Sequence, residues 1–118
     1  MEKLTMRIQR NNNLNDVYYE DEVGPGNGRH YYEVRREGKV VASIQFQNGP
    51  RTIESSIPGV VEADLLEIVR HRLQCFQQGE FATRENALAI TAIEEALMWM
   101  NKRTEDRAER GTLGTYKK

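Results

Sequence analysis

Apolar residues in the second half of the chain recur at the three- and four-residue spacing of helices. The longest such pattern runs from about Thr83 to about Arg110 without proline or internal glycine. Thr83 is a favourable N-cap, and Gly111 stands where a glycine commonly ends a helix. A shorter helical pattern covers residues 61–78, with Gly79 as its stop. The short connection predicts that the two helices are antiparallel neighbours.

The longer predicted helix carries two stripes. The first is aliphatic and predicts packing onto its own domain. The second consists mainly of small residues and leads to Arg103 and Arg110, which indicates that another helix or another chain comes close. The first stripe contains Ile90, Ile93, Leu97 and Met100, and the second contains Ala89, Ala92, Ala96 and Trp99. On the shorter helix the predicted packing face contains Leu65, Val69, Leu73 and Phe76, widened by Leu66 and Ile68.

Alternation of apolar and polar residues earlier in the chain predicts a β-hairpin. Its strands are residues 31–36 and 40–47, and the turn is Glu37-Gly38-Lys39. Before about Val23 the pattern is weak, and residues 4–8 could supply an edge strand. The face of the hairpin expected to be buried contains Val40, Ala42, Ile44 and Phe46 of the second strand, with Tyr32 and Val34 of the first.

The order of these elements, strands first and helices second, predicts a single α+β domain over residues 1–118. We expect an N-terminal antiparallel β-hairpin or small sheet followed by a C-terminal antiparallel two-helix hairpin. Residues 24–60 form the β-hairpin region, residues 61–118 form the helical hairpin and tail, and residues 1–23 are an unassigned N-terminal segment. Only 38% of the residues are hydrophobic, which favours further burial between copies of the chain.

Charge and composition argue against several classes of protein. A net charge of −1 does not suit binding to polymeric nucleic acid through bulk positive charge. The single cysteine, Cys75, cannot form an intrachain disulfide, and its place in an apolar helical pattern predicts simple packing. The N-terminus has no apolar signal-peptide core and no segment approaches membrane-spanning length, so we expect a soluble cytosolic protein with no membrane partner.

Catalytic chemistry is hard to assemble from these residues. His30 and His71 lie on different elements, and no serine or cysteine nucleophile has an evident partner. No metal-ligand spacing is present, so we predict no catalytic residue, no metal and no cofactor. His71 is expected to face solvent, whereas His30 is the better functional candidate. It follows a glycine-rich stretch, residues 24–28, that lacks a phosphate-loop pattern and favours a tight turn into a strand.

A different group of residues suits nucleotide recognition. Arg103, Arg107 and Arg110 recur near the end of the longer helix, where they either converge on a phosphate or complement the helix dipole. Asn86, in the first turn of that helix, either supports the cap or reads an adenine edge. Phe76 is either a core residue or a stacking surface for a base.

Short motifs follow one another in a specific order along residues 24–116. They are Gly24-Pro25-Gly26, His30-Tyr31-Tyr32, Ile44-Gln45-Phe46-Gln47-Asn48-Gly49-Pro50-Arg51, Phe76-Gln77-x-Gly79-x-Phe81, Glu85-Asn86, Asn101-Lys102-Arg103-Thr104 and Arg110-Gly111-x-x-Gly114-Thr115. In order and spacing these motifs resemble the phage anti-Thoeris signal sponges. The helical hairpin is similar to that of the shorter phage anti-CBASS cyclic-nucleotide sponges.

The resemblance implies binding without cleavage, and therefore a protein that is not an enzyme. Family members hold immune signalling nucleotides, and in the anti-Thoeris branch the signal is a glycocyclic ADP-ribose made by a TIR-domain enzyme. Some members also hold cyclic trinucleotides, the CBASS signals, at separate sites. The resemblance implies a homo-oligomer, dimer or hexamer, in the host bacterial cytoplasm, with ADP-ribose-type ligands between protomers. The alternatives are a phosphodiesterase that degrades these signals and a small oligomeric phage scaffold without a ligand.

The resemblance also assigns roles to individual residues. Phe76 matches the aromatic residue that stacks on the adenine, Asn86 matches the amide near the base, and Arg103 matches the phosphate-binding arginine. Gly49 and Arg51 match a separate cyclic-trinucleotide pocket, although their loop could equally be a structural turn. Tyr116 stands where related chains often have histidine. The residues expected to bind cyclic ADP-ribose are Phe76, Asn86, Arg103, Arg107, Arg110, Thr115 and Tyr116.

Overall fold

A four-stranded antiparallel sheet is followed by two helices in the computed structural model, which describes residues 1–116. This order confirms the α+β fold predicted from the sequence. The chain divides into two compact units, Met1–Val60 with the sheet and a second unit that starts at Val61. That they form one domain stays a prediction. Residues 117 and 118, the end of the predicted tail, lie outside the described residues.

The sheet has the order β1-β2-β3-β4, and each neighbouring pair of strands is antiparallel. Strands β3 and β4 confirm the predicted hairpin. Both Glu37 and Gly38 in its turn have positive φ, the backbone conformation that a two-residue hairpin turn needs. The strands are Glu2–Lys3 (β1), Asp16–Tyr19 (β2), Tyr31–Arg36 (β3) and Lys39–Gln45 (β4).

The predicted edge strand at residues 4–8 is misplaced. The edge strand β1 ends at Lys3, and it pairs with β2, which lies in an acidic stretch without a clear alternating pattern. Pairing with β3 stabilises β2, and the guanidinium of Arg35 lies 4.1 Å from the ring centroid of Tyr18 on the neighbouring strand. These contacts between distant parts of the chain form the strand where local preference does not.

A β-bulge at Val41 interrupts the predicted buried face of β4. Val34 pairs with Ala42 but Arg35 pairs with Val40, so Val41 is an extra residue without a partner across the ladder. The extra residue breaks the two-residue alternation on which the prediction rested. Val40 is consequently 51% exposed, and Ala42 is exposed as well. The prediction that these two residues are buried was wrong.

The rest of this face agrees with the prediction. Ile44 lies opposite Tyr32 in the ladder, and both side chains are partly buried. The rings of Tyr32 and Phe46 meet edge to face with their centroids 5.5 Å apart, a favourable aromatic geometry.

The two helices, α1 (Glu62–Gln77) and α2 (Arg84–Glu109), confirm the predicted helical hairpin. The hydroxyl of Thr83 accepts a hydrogen bond from the backbone N–H of Asn86 at 3.0 Å, so Thr83 is the N-cap of α2 as predicted. The helix ends just before Gly111, the predicted stop.

An ion pair and facing apolar stripes join the helices. Arg70 donates two hydrogen bonds to one carboxylate oxygen of Glu94, at 2.7 and 2.9 Å, which sets how the helices align. The stripe predicted on α2 is partly buried throughout, which confirms its packing role. Its residues are Ile90, Ile93, Leu97 and Met100.

The packing face of α1 is narrower than predicted. Ile68 is 64% exposed, and Val69 and Cys75 are exposed as well. Cys75 lies two residues from the partly buried Leu73, which places the two side chains on nearly opposite sides of the helix. The expected packing of Cys75 within the hairpin was therefore wrong, because a helix with one neighbour buries only one stripe.

Little apolar surface is fully shielded within one chain. Among the described residues, no large hydrophobic side chain is fully buried. Within residues 1–116, no helix combines the length and the hydrophobicity that a membrane span requires.

Candidate functional site

Aromatic side chains gather where α1 passes into α2. The rings of Phe76 and Phe81 meet edge to face with centroids 6.4 Å apart, and Phe76 is only partly buried. The guanidinium of Arg72 lies 5.3 Å from the centroid of the Phe76 ring. Phe76 therefore belongs to an aromatic surface and not to a closed core, an arrangement that suits stacking of a base. We call Phe76, Phe81 and Asn86 the aromatic–amide cluster.

Reciprocal hydrogen bonds connect the end of α1 to the start of α2 beside this cluster. The side-chain amide of Gln77 donates to the carbonyl of Thr83 and accepts from its N–H, both at 2.9 Å. Asn86 serves the cap through its backbone N–H, while its side-chain nitrogen makes only a long contact of 3.5 Å to the carbonyl of Phe81. The cap thus leaves the Asn86 side chain available for a donor–acceptor contact with a base edge.

The second group of predicted residues surrounds an open depression of 280 Å³ near the C-terminal end of α2. Arg103 and Arg110 line it together, and Lys102 brings a third cation against one carboxylate, that of Asp106. The helix dipole places partial negative charge at this end, so an excess of cations is needed before an anion can bind here. We call this the cationic depression, and its lining residues are Trp99, Lys102, Arg103, Asp106 and Arg110.

Arg107 has a different position from the other two predicted arginines. Its guanidinium donates to the carbonyls of Thr112 and Thr115, at 2.7 and 2.9 Å. Its own carbonyl accepts from the N–H of Thr112 at 2.9 Å. These bonds fold the chain after α2 back onto the helix end, so Arg107 organises the tail, whereas Arg103 and Arg110 share the cationic depression.

The predicted tail residues differ in exposure. Thr115 is partly buried and donates from its hydroxyl to the carbonyl of Thr112 at 2.5 Å. Tyr116 is 65% exposed. The tail is therefore held beside the end of α2 through Thr115 and Arg107, and Tyr116 projects from it.

One chain does not bring the two groups together. Asn86 and Arg103 both lie on α2, seventeen positions apart, which corresponds to roughly 25 Å along the helix axis. A single small ligand cannot contact both residues of the same chain. The predicted site is therefore two half-sites at opposite ends of the helical hairpin.

Between the half-sites, α2 has an uncovered apolar face. Leu88 and Trp99 are exposed on it, 53% and 66% respectively, and the alanines between them present little bulk. This is the second stripe predicted from the sequence, extended by Leu88. We call it the α2 seam, and it consists of Leu88, Ala89, Ala92, Ala96 and Trp99.

Gly49 and Arg51 lie in the sheet-containing unit, on a turn fixed by the backbone. Asn48 and Ile57 exchange backbone hydrogen bonds at 2.8 and 2.9 Å across this turn. Gly49 has a φ of 96°, and a Cβ there would overlap the side chain of Ser56, so the turn itself requires glycine. Arg51 is exposed on this turn. Its assignment, with Gly49, to a separate cyclic-trinucleotide pocket stays a prediction.

The histidines take no part in these groups. His30 packs against Gly24, where a Cβ would overlap the imidazole ring, and its shielded Nε2 makes no hydrogen bond within the described residues. His71 is exposed, as predicted, with its Nε2 3.8 Å from Sγ of Cys75. Across residues 1–116, no group of three or more His, Cys, Asp or Glu is arranged to hold a metal ion.

Sequence reasoning left three neighbours of the predicted residues without a role, namely Arg72, Phe81 and Lys102. Arg72 precedes Phe76 by four residues and Lys102 follows Trp99 by three, so helical spacing alone indicates both contacts. Phe81 lies in the connection, where no helical period applies, and only the tertiary structure places its ring against Phe76.

Comparison with known proteins finds a family match that spans the helical hairpin. The sequence profile of the family described as Acb2/Tad1, hairpin domain, matches residues 38–105, more than half of the chain. The protein Thoeris anti-defense 1 of Bacillus phage SBSphiJ7 is 54% identical over 78 residues, which are 66% of this chain and 54% of the relative. The chain thus spans about half the length of the curated relative it matches. The profile includes Phe76, Asn86 and Arg103 but ends before Arg107.

Proposed function

Because the chain belongs to the Acb2/Tad1 hairpin-domain family, we propose that it is a phage anti-Thoeris protein that binds and sequesters a cyclic ADP-ribose immune signal. Family membership confirms the resemblance drawn from the sequence. The proposal places the protein in the cytoplasm of the infected host, where it holds the signal without cleaving it. The observation that carries it is the helical hairpin with an aromatic surface at one end and a cationic depression at the other.

Two copies of the chain can complete the site. If two α2 helices associate antiparallel about a two-fold axis, Asn86 of one copy lies at the same level along the helix axes as Arg103 of the other. The position midway between these residues falls between Ala92 and Ala96, where small side chains allow the closest approach of two helices. The same symmetry produces two equivalent sites per dimer. Each site takes the base on the aromatic–amide cluster of one protomer and the diphosphate in the cationic depression of its partner.

A protein that sequesters the signal must bind it tightly but need not catalyse any reaction on it. Nanomolar binding corresponds to about −12 kcal/mol, more than one exposed arginine supplies. A diphosphate enclosed between two chains gains several charge-assisted hydrogen bonds at once, and an adenine stacked on Phe76 adds apolar contact. Closure of the site excludes water from these contacts and strengthens them.

The proposal is tested by calorimetry of Arg103→Ala with glycocyclic ADP-ribose. We expect tight binding to be lost, because a buried phosphate oxygen without its donor is strongly unfavourable. The mass of the oligomer in solution should not change. Arg84→Ala is the matched control, since Arg84 is exposed on the same helix and lies on nearly the opposite side from Asn86. Near-normal affinity of the Arg103 variant would contradict the site.

A second experiment separates a sponge from a phosphodiesterase. The protein is incubated with the signal and denatured by heat, and the supernatant is then analysed. A sponge releases the signal intact and in full, whereas an enzyme releases a hydrolysed product. If no nucleotide in a panel of cyclic ADP-riboses and cyclic trinucleotides raises the melting temperature, the scaffold alternative is favoured instead.

A further inference from the structure

The cationic depression contains an aromatic ring that binding of phosphate by Arg103 does not explain. Trp99 is 66% exposed and lines the depression beside Lys102 and Arg103. Positions 99, 102, 103, 106 and 110 follow one another at helical spacing, so the indole and the cations form one continuous strip of surface. A ligand group bound by Arg103 therefore lies close to the indole.

The depression is open and small for a complete ligand site. Its volume of 280 Å³ lies just below the roughly 300–1,000 Å³ of complete small-molecule sites. It accommodates a phosphate group and part of what the phosphate carries, and it leaves the rest of the ligand to another surface. This agrees with two half-sites separated along α2.

The charges of the depression fit a dianion. Three cations face one carboxylate, and that carboxylate, Asp106, is already paired with Lys102 at 3.5 Å. Both side chains of this pair are at least half exposed, so the pair is weak and Lys102 can turn to a ligand at little cost. A diphosphate carries two negative charges, one for each phosphate, and matches the excess of two cations.

We propose that the diphosphate of the ligand binds in the cationic depression and that the sugar beyond the diphosphate lies against the indole of Trp99. Lys102 is then the second cation that contacts the diphosphate, beside Arg103. This inference rests on the proposed function and adds two ligand contacts to it. The preferred ligand is a nucleoside diphosphate that carries a second sugar ring, in contrast to a mononucleotide or a free phosphate. The base lies on Phe76 of one copy and the second sugar lies on Trp99 of the other.

The test uses two probes, glycocyclic ADP-ribose and inorganic pyrophosphate, which has charge but no ring. Trp99 is the only tryptophan of the chain, so the fluorescence emission comes from this position alone, and light scattering at the same ligand concentrations separates a ligand contact from a change of assembly. We expect the emission to change on saturation with glycocyclic ADP-ribose. Trp99→Leu should weaken binding of that ligand roughly tenfold, within the range for stacking on an aromatic residue, and leave pyrophosphate binding unchanged. Lys102→Ala should weaken the binding of both probes.

The controls separate a ligand contact from a packing residue. Leucine keeps apolar bulk on the α2 seam, and Trp99→Phe keeps a ring, so Trp99→Phe should retain most of the affinity. Met98→Ala removes an exposed neighbour outside the depression and should change nothing. The inference is overturned if Trp99→Leu binds glycocyclic ADP-ribose normally, or loses it only together with the assembly. Failure of the wild-type protein to bind that ligand at all overturns the proposed function instead.

Discussion

Glu33 is held in its charged form by its neighbours in the sheet. Its carboxylate accepts two hydrogen bonds from the guanidinium of Arg35, at 2.7 and 2.9 Å, and one from the hydroxyl of Tyr31 at 2.9 Å. The hydrogen bonds from Arg35, followed by that from Tyr31, lower the pKa of Glu33 below its usual range. Arg35 also covers the ring of Tyr18, so this carboxylate helps to join β2 and β3.

Replacement of Glu33 should change how the stability of the protein depends on pH. Because its folded-state pKa is lowered, ionised Glu33 stabilises the fold fully above the usual carboxyl pKa, and this stabilisation is lost as pH falls through the lowered value. We expect Glu33→Gln to be less stable than wild type at neutral pH, with a difference that shrinks in acid. Urea unfolding at several pH values measures this. Glu54→Gln, at an exposed loop residue, is the control, and a difference independent of pH would refute the prediction.

At the scale of elements, the connection between α1 and α2 determines where the aromatic–amide cluster lies. The side chain of Gln77, at the end of α1, makes two hydrogen bonds to the backbone of Thr83. The hydroxyl of Thr83 in turn caps α2 by accepting a hydrogen bond from the backbone N–H of Asn86. Phe76 and Asn86 lie directly beside these bonds, one on each helix. The contacts that end one helix and start the next therefore also set the geometry of the aromatic–amide cluster.

Removal of the cap tests this link between element and site. Thr83→Ala should lower the free energy of unfolding by about 1 kcal/mol, the usual effect of losing a threonine N-cap. It should also weaken ligand binding, because Asn86 loses its anchor. Thermal denaturation and calorimetry measure the two effects. Thr91→Ala is the matched control, since the Thr91 hydroxyl only bonds the carbonyl four residues earlier and its loss is expected to be nearly neutral. Equal stability of the two variants would argue against the capping role.

At the scale of the whole molecule, apolar surface remains that one chain does not cover. Leu88 and Trp99 of the α2 seam are exposed, and so are Ile68 and Val69 on α1. The hairpin is a thin layer of two helices, and each helix buries only the stripe that faces the other. Association of copies along the α2 seam would cover this surface and join the two half-sites in one step.

A bulky residue at the centre of the α2 seam should therefore damage assembly and ligand capture together. Ala92→Phe forces the two helices apart, and overpacking of this kind costs about 1–3 kcal/mol at each occurrence. A two-fold contact contains the substitution twice. We expect a shift towards the monomer in light scattering and a parallel loss of affinity in calorimetry. Ala87→Phe, at another exposed alanine of α2, is the control. A monomeric variant that still binds tightly would show that the half-sites act separately.

Elements with strong local signals could be predicted from the sequence. The length of α2, its cap at Thr83 and the turn at Glu37-Gly38 each depend on residues close together in the chain. The candidate site residues Phe76, Asn86 and Arg103 are predicted from the order of short motifs, and all three lie within the region matched by the family profile. The placement of Arg103 and Arg110 around one depression follows from helical spacing.

Other features were decided by contacts between distant residues. Strand β2 exists because β3 pairs with it, and the bulge at Val41 follows from how β4 aligns with β3. Arg107 binds carbonyls of the tail, although its spacing on α2 resembles that of Arg103.

The sequence by itself thus determined the helices and the hairpin turn, because propensity, capping and periodicity act over a few residues, and the order of its short motifs predicted the candidate site residues. Only the tertiary structure decided which apolar stripes are covered and that Asn86 and Arg103 lie at opposite ends of one helix. Burial and distance depend on where distant parts of the chain pack, and no local pattern specifies that packing.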